Sequence, residues 1–343
     1  METEKLLLEL SGLNGTSGRE NAVADYLGGL LAPYGKVRRT PLGSVVCTLH
    51  QPQEGKAHIL LEAHMDEIGM VVTCIEESGF LRVAPIGGMD RRVLLASRVQ
   101  VHTRGGPLNG VICSVPPHLN TDGDKQNKKV EDLYIDIGCD KETAQKKVLP
   151  GDRVTLHAYP RKILGNCVSG KALDNRAGCV AVLLALDTLS KADLDCGLTV
   201  LFSSMEEVGG QGAKTAAYAI APTHALAVDV SFGAAPDVPK EKSGKLGEGP
   251  MIGFAPILSD ELSRMLVEVA ERESIPYQYE AMGGRTGTNA DQIATSGAGV
   301  KTALVSVPQK FMHMPIEVVD QSDVEYTGRL LVAISKELGG ARE

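Results

Sequence analysis

The 343-residue chain has no tryptophan and only five phenylalanines, so it offers few broad aromatic faces on which sugar rings could stack. Its seven cysteines (Cys47, Cys74, Cys113, Cys139, Cys167, Cys179 and Cys196) show no Cys-x-x-Cys spacing. An odd number of scattered cysteines in a chain this long does not suggest a disulfide framework, and reduced thiols are expected. An excess of positive charge is also missing: 35 Lys and Arg stand against 43 Asp and Glu, for a net charge of -8. With no long basic run, neither a nucleic acid nor an anionic membrane is expected as a partner. No apolar run approaches the ~20 residues of a membrane span, and the opening "METEKLLLELSGLNG" carries acids where a signal peptide needs a basic region, so a cytoplasmic location is expected. Finally, there is no Gly-x-Ser-x-Gly elbow and no Gly-Lys-Ser/Thr phosphate loop.

The chain is longer than one ordinary core organises, which leads us to expect a large domain with an insertion. Two helical patterns, "TEKLLLELSGL" and "GRENAVADYLGGLLAPYG", precede the strands "SVVCTLH" and "HILLEAHMD". From about residue 67 to 164, short β-like runs alternate with Gly, Pro and Asn turns and show little helical periodicity, as in a small all-β unit. Within that stretch "PPHLNTDGDKQNKKVED" reads as a polar surface loop. Helices and strands then alternate again to the C-terminus. The expected fold class is therefore α/β, a mostly parallel sheet with flanking helices formed by residues 1–66 and 165–343, plus an inserted small all-β domain at 67–164.

In that frame the strand ends carry the chemistry. "HILLEAHMD" ends in His64 and Asp66, "LTVLFSSMEE" in Glu206 and Glu207, and "ALAVDV" reaches Asp229. His313 follows "TALVSV", and Asp174 opens a helix. Singly each has a plain explanation: Asp174 as a helix cap, the others as solvated strand ends. Together they deliver metal-type ligands to the edge of an α/β sheet where ligands bind. Two histidines with several carboxylates suit two divalent metal ions, zinc or cobalt, with manganese as a further option. Asp174, Glu207 and Asp229 would offset three of their four charges, which leaves Glu206 free to move protons. If both glutamates lie on extended chain they face opposite ways and divide these tasks.

"HMDEIG", "PPHL" with "DLYIDIG", "GKALDNRAG", "EEVGGQGA", "AVDV", "GGRTGTNADQI" and "VPQKFMHMPIEV", in this order, resemble the TET-type dinuclear metallo-aminopeptidases, a zinc-peptidase-like family that includes glutamyl and deblocking aminopeptidases and cellulase M-like proteins. The resemblance spans nearly the whole chain. It implies that His64, Asp174 and Asp229 hold one metal and Asp174, Glu207 and His313 the other, with Asp174 bridging. It further implies Glu206 as general base, Asp66 as the partner that orients His64, and a cis peptide at Asp174-Asn175. By the same resemblance the β-rich insertion helps twelve subunits close into a tetrahedral shell, a homododecamer. Two positions depart from the family pattern: Met314 stands in "HMP" where serine is usual, and Asn289 where aspartate is common. Both bear on substrate preference rather than on chemistry.

The expected activity is removal of N-terminal residues from peptides, with metal-activated water and no protein nucleophile. One rival is a glycoside hydrolase of endoglucanase type, which needs two carboxyl groups flanking one bond. Another is a non-catalytic metal-stabilised binding protein, although structural zinc sites are usually cysteine-rich. A carboxypeptidase or deacetylase using the same metals is a third. Arg285, in the glycine-rich "GGRTGTNADQIATSGAG", is open to two readings, contact with an acidic substrate or pairing with a surface acid.

Overall fold

A computed structural model describes residues 2–119 and 129–340. Residues 120–128, the middle of the loop read above as polar and surface-lying, fall outside the described residues.

The central strands are apolar throughout because both their faces are covered. In His58–His64, Ile59, Leu61 and Ala63 enter one core and Leu60 the opposite one. In Gly197–Ser203, Leu198, Val200 and Phe202 pack on the first side and Leu201 on the second, as the period of two requires. The first core is closed by the helices Thr3–Gly12, Asn21–Leu31, Leu173–Leu189 and Gln321–Leu338, and the second by Gln211–Ile220.

These strands belong to an eleven-stranded sheet. Parallel pairing joins its four central strands, Gly197–Ser203, His58–His64, His224–Phe232 and Lys301–Lys310. It recurs only between Met251–Phe254 and the edge strand Gln278–Ala281. Both flanks are antiparallel: Lys36–Arg39 with Val45–His50, and Lys301–Lys310 onward through Glu317–Asp320 and Cys167–Gly170 to Arg161–Lys162. The sheet is thus mixed, not mostly parallel as expected. A short turn can join only antiparallel neighbours, whereas parallel pairing needs a crossover, and crossover helices feed only the middle of this sheet and, through Asp260–Arg272, the edge pair Met251–Phe254 and Gln278–Ala281.

Between the strand ending at His64 and the strand beginning at Cys167, six strands close into a barrel, in the order Gly69–Ile75, Leu81–Ile86, Tyr134–Asp136, Gly106–Ile112, Arg98–Thr103, Arg153–Leu156. Its core of Met70, Val72, Leu81, Val83, Val99, Val101, Ile112, Ile135 and Val154 is separate from that of the sheet. Among the described residues one α-helix interrupts the β texture, Lys141–Lys147, with the Asp140 side chain accepting from the Thr143 amide at 2.9 Å. Seven residues are too few for a legible helical period.

Candidate metal centre

Parallel central strands all point their carboxyl ends to one edge, and there the side chains converge. His64 is the last residue of His58–His64, and Asp229 lies within His224–Phe232. Asp174 is set by its own backbone: its amide donates to Glu317 Oε2 at 3.1 Å, and the peptide bond to Asn175 is cis. Asn175 in turn donates to the Val228 carbonyl at 2.7 Å, which ties this helix start to the strand that carries Asp229.

Two sets of atoms result. His64 Nε2 lies 3.1 Å from Asp174 Oδ1 and 3.6 Å from Asp229 Oδ1. His313 Nε2 lies 3.3 Å from Asp174 Oδ2 and 3.3 Å from Glu207 Oε2. The two oxygens of Asp174 therefore face two different histidine-and-acid sets. Ligands about 2.0–2.1 Å from a tetrahedral ion stand roughly 3.3 Å from one another. These separations fit that spacing better than the ~2.7–2.9 Å of a charge-assisted hydrogen bond. His64, Asp174 and Glu207 also offer three ligand atoms that lie within 4.8 Å of one another.

Glu206 and Glu207 are not on extended chain. The strand Gly197–Ser203 ends before them, Met205 adopts a φ of 60°, and the two glutamates occupy a turn. The opposite-face argument therefore does not apply to them. What separates them is the turn itself, which presents Glu207 to His313 and Asp174 and leaves Glu206 beside them in the cleft wall.

Asp66, fully buried, is more than a neighbour of His64. Its Oδ1 lies 3.4 Å from His64 Nδ1, off hydrogen-bond alignment, so Nδ1 has no hydrogen-bond partner among the described residues. The same carboxylate accepts the amides of Glu206 at 3.0 Å and Glu207 at 3.2 Å and the Ser17 hydroxyl at 2.6 Å. It thus ties the end of one strand to the turn that carries both glutamates.

Three further groups were not legible as site residues. Glu317, 2% exposed, accepts the amides of both Asp174 and His313, each at 3.1 Å. Glu67 accepts Lys171 Nζ at 2.7 Å and the Gly15 amide at 2.8 Å in a buried pair close to Asp174. Glu62, buried in mid-strand, accepts from Ser203 at 2.6 Å and from Asn289 Nδ2 at 2.8 Å. Asn289 thereby supports the cleft floor from within. An acid inside an apolar run, as in "ILLEAH", was the available signal for Glu62; Glu317 acts through backbone amides and Glu67 through Lys171 and the Gly15 amide, contacts that leave no local pattern.

Crowding governs the electrostatics. Burial, joined by the charges of Asp229, Glu207 and Asp174 and opposed by His64, pushes Glu206 up to about 9. Burial and the Asp174 charge bring Glu207 up to about 7, against the hydrogen bond from His313. Burial works against the charge on His313, but Asp174 and Glu207 overcome it and raise the imidazole to about 11. Burial also opposes ionisation of Asp174, yet hydrogen bonds from His313 and His64 hold it well below the usual carboxylate range. Four carboxylates facing two histidines form a pocket short of positive charge. It opens into a cleft of about 890 Å³, with Arg285, Lys240 and Lys242 at its exposed rim.

Known proteins resemble this chain along nearly its whole length. The family model for M42 glutamyl aminopeptidases matches residues 43–330. The lysyl aminopeptidase of Pyrococcus furiosus is 30% identical, over 98% of this chain and 97% of its own. Among solved structures, an aminopeptidase from Desulfurococcus kamchatkensis is 36% identical with a TM-score of 0.90, covering 98% of this chain and 94% of its own. The TET1 peptidase of Pyrococcus horikoshii, which can assemble into a tetrahedron or a large octahedral shell, is 32% identical with a TM-score of 0.87, over 97% and 99% of the two chains. With its motifs in family order, its fold matched end to end and its polar residues gathered at one sheet edge, the chain belongs to the M42 aminopeptidase family.

Proposed function

We propose that the chain is a dinuclear metallo-aminopeptidase in which Asp174 bridges two divalent ions, one held with His64 and Asp229 and the other with Glu207 and His313. One observation carries this reading: each oxygen of Asp174 faces its own histidine, at 3.1 and 3.3 Å, and each of those histidines lies 3.3–3.6 Å from a second carboxylate. Borderline imidazole nitrogens and hard carboxylate oxygens suit zinc or cobalt, and also manganese. Bound there, the ions would lower the pKa of water and polarise the scissile carbonyl. Glu206, which reaches the same cleft outside both ligand sets, takes the proton from the attacking water and returns it to the leaving amine. Its carboxyl is driven up chiefly by burial and by its acidic neighbours, and added positive charge would bring it back toward the range of a working base. Asp66 holds the turn that aims Glu206, and Glu317 holds the backbones of Asp174 and His313.

Residues 1–66 and 165–343 would form the catalytic unit and 67–164 an inserted oligomerisation unit. The separate barrel core supports this division, and the tetrahedral assembly of the Pyrococcus horikoshii relative supports a homododecamer. Such a shell would admit peptides and exclude folded proteins.

Chelation tests the metal centre. Demetallated protein should lose hydrolysis of aminoacyl nitroanilides and regain it with zinc, cobalt or manganese, binding close to two ions per chain by elemental analysis. Saturation at one ion would remove the bridging role of Asp174, and full activity without metal would end the proposal.

A further inference from the structure

The edge strand Gln278–Ala281 places one carboxylate in the cleft for which the reaction above has no use. Glu280 lines the cleft with Asp229, Ser231 and Ser306. Its Oε1 accepts the Ser231 hydroxyl, and its Oε2 accepts that of Ser306 at 2.8 Å. Among the described residues these hydroxyls are its only hydrogen-bond partners, and no lysine or arginine pairs with it. A carboxylate offers about four lone-pair sites, so acceptor capacity remains. A negative charge sunk in a cleft wall without a counter-ion is costly, and a ligand that brings the missing cation relieves that cost.

The position of Glu280 is fixed by the sheet. Ser306 stands in register with Asp229 on the neighbouring parallel strand, and Ser231 follows Asp229 by two residues and so shares its face. With strands about 4.8 Å apart and about 6.6 Å covered by two residues of strand, the Glu280 carboxylate lies on the order of 6–8 Å from that of Asp229. The α-amine of a bound peptide is two bonds from the scissile carbonyl and must sit among the metal-centre residues themselves. The ammonium of a lysine side chain stands about 6 Å from its Cα at the end of a four-carbon stem, which matches the distance to Glu280. Lys240, Lys242 and Arg285 remain at the exposed rim, not beside this carboxylate.

We propose, on the basis of the aminopeptidase reading above, that Glu280 is a specificity residue selecting peptides whose N-terminal side chain ends in a cation, lysine ahead of arginine. The two serines hold its carboxylate toward the cleft, and the incoming side chain supplies the counter-charge.

The test uses metal-loaded full-length protein and the nitroanilides of lysine, arginine, norleucine, leucine and glutamate. Norleucine reproduces the lysine stem without the ammonium. A site that pairs with a substrate charge rejects the analogue lacking it, so lysyl kcat/KM should exceed norleucyl by about ten-fold or more. Glu280→Gln should bring that ratio close to one, and Glu280→Lys should turn the preference toward glutamyl. Equal rates for lysyl and norleucyl substrates in the unmodified protein would overturn the proposal without recourse to any variant. So would a glutamyl preference, which would point to Arg285, or a Glu280→Gln effect equal on all five substrates, which would mark a structural role. Cleavage of none of the five would overturn the aminopeptidase reading and this proposal with it, a result distinct from cleavage without charge preference.

Discussion

Glu206 and Glu207 are adjacent and chemically identical, yet only Glu207 stands within ligand distance of His313. Their substitutions should therefore diverge. Glu206→Gln keeps size and hydrogen bonding but removes the basic carboxylate, so metal content should hold while kcat falls by roughly 10² to 10⁴. Glu207→Gln weakens a ligand, so metal occupancy should fall, and excess metal should restore part of the rate. Metal analysis beside steady-state kinetics decides the matter: loss of metal in Glu206→Gln with retention in Glu207→Gln would exchange the two assignments. Both residues were legible as a pair in "SSMEE", but the argument from alternating strand faces was the wrong one. The turn after Ser203 separates them, held by the Asp66 carboxylate 140 positions away in the chain.

Between elements, the joints are buried carboxylates that accept backbone amides. Glu317 opens the strand Glu317–Asp320 and holds the helix start at Asp174 and the loop at His313. Glu317→Ala leaves two amides without an acceptor, at about 1–3 kcal/mol each. Urea unfolding should show a loss of about 2–5 kcal/mol, with weaker metal retention in the folded fraction. A second joint is the buried pair of Lys171 with Glu67, where the strand His58–His64 leads toward the barrel. Lys171→Met leaves the buried Glu67 charge with only the more distant Arg176, at 3.9 Å, and should cost up to about 3–5 kcal/mol in the same assay. Were Lys171→Met no less stable than the parent, Arg176 would suffice as the counter-ion of Glu67. A stability change in Glu317→Ala too small to measure would mean that water replaces the carboxylate.

For the whole molecule, the barrel supplies none of the histidines and acids gathered at the candidate metal centre, although Gly88 of the same stretch lines the cleft. Light scattering on the full chain at micromolar concentration should give a particle of twelve subunits, close to twelve times the 36.3 kDa of the chain. A stable monomer or dimer would leave the barrel needing another role. Among the described residues no helix is long and apolar enough to cross a membrane.

His64, Glu207, Asp229 and His313 stood out as candidates before any coordinates because each lies at or near the end of an apolar run, where a histidine or an acid is a local signal, and Asp174 because it opens a helix. The β-rich stretch between two α/β stretches was equally plain from the density of its turns. Tertiary structure alone decided that the sheet is antiparallel on both flanks, because pairing direction depends on which strands meet and not on their composition. It alone joined Ser17 to Asp66, Glu317 to Asp174, and Glu280 to Ser231 and Ser306. Those contacts link residues from 26 to 143 positions apart, and a hydrogen bond between such residues leaves no periodicity in the chain, since only folding brings the donor to the acceptor.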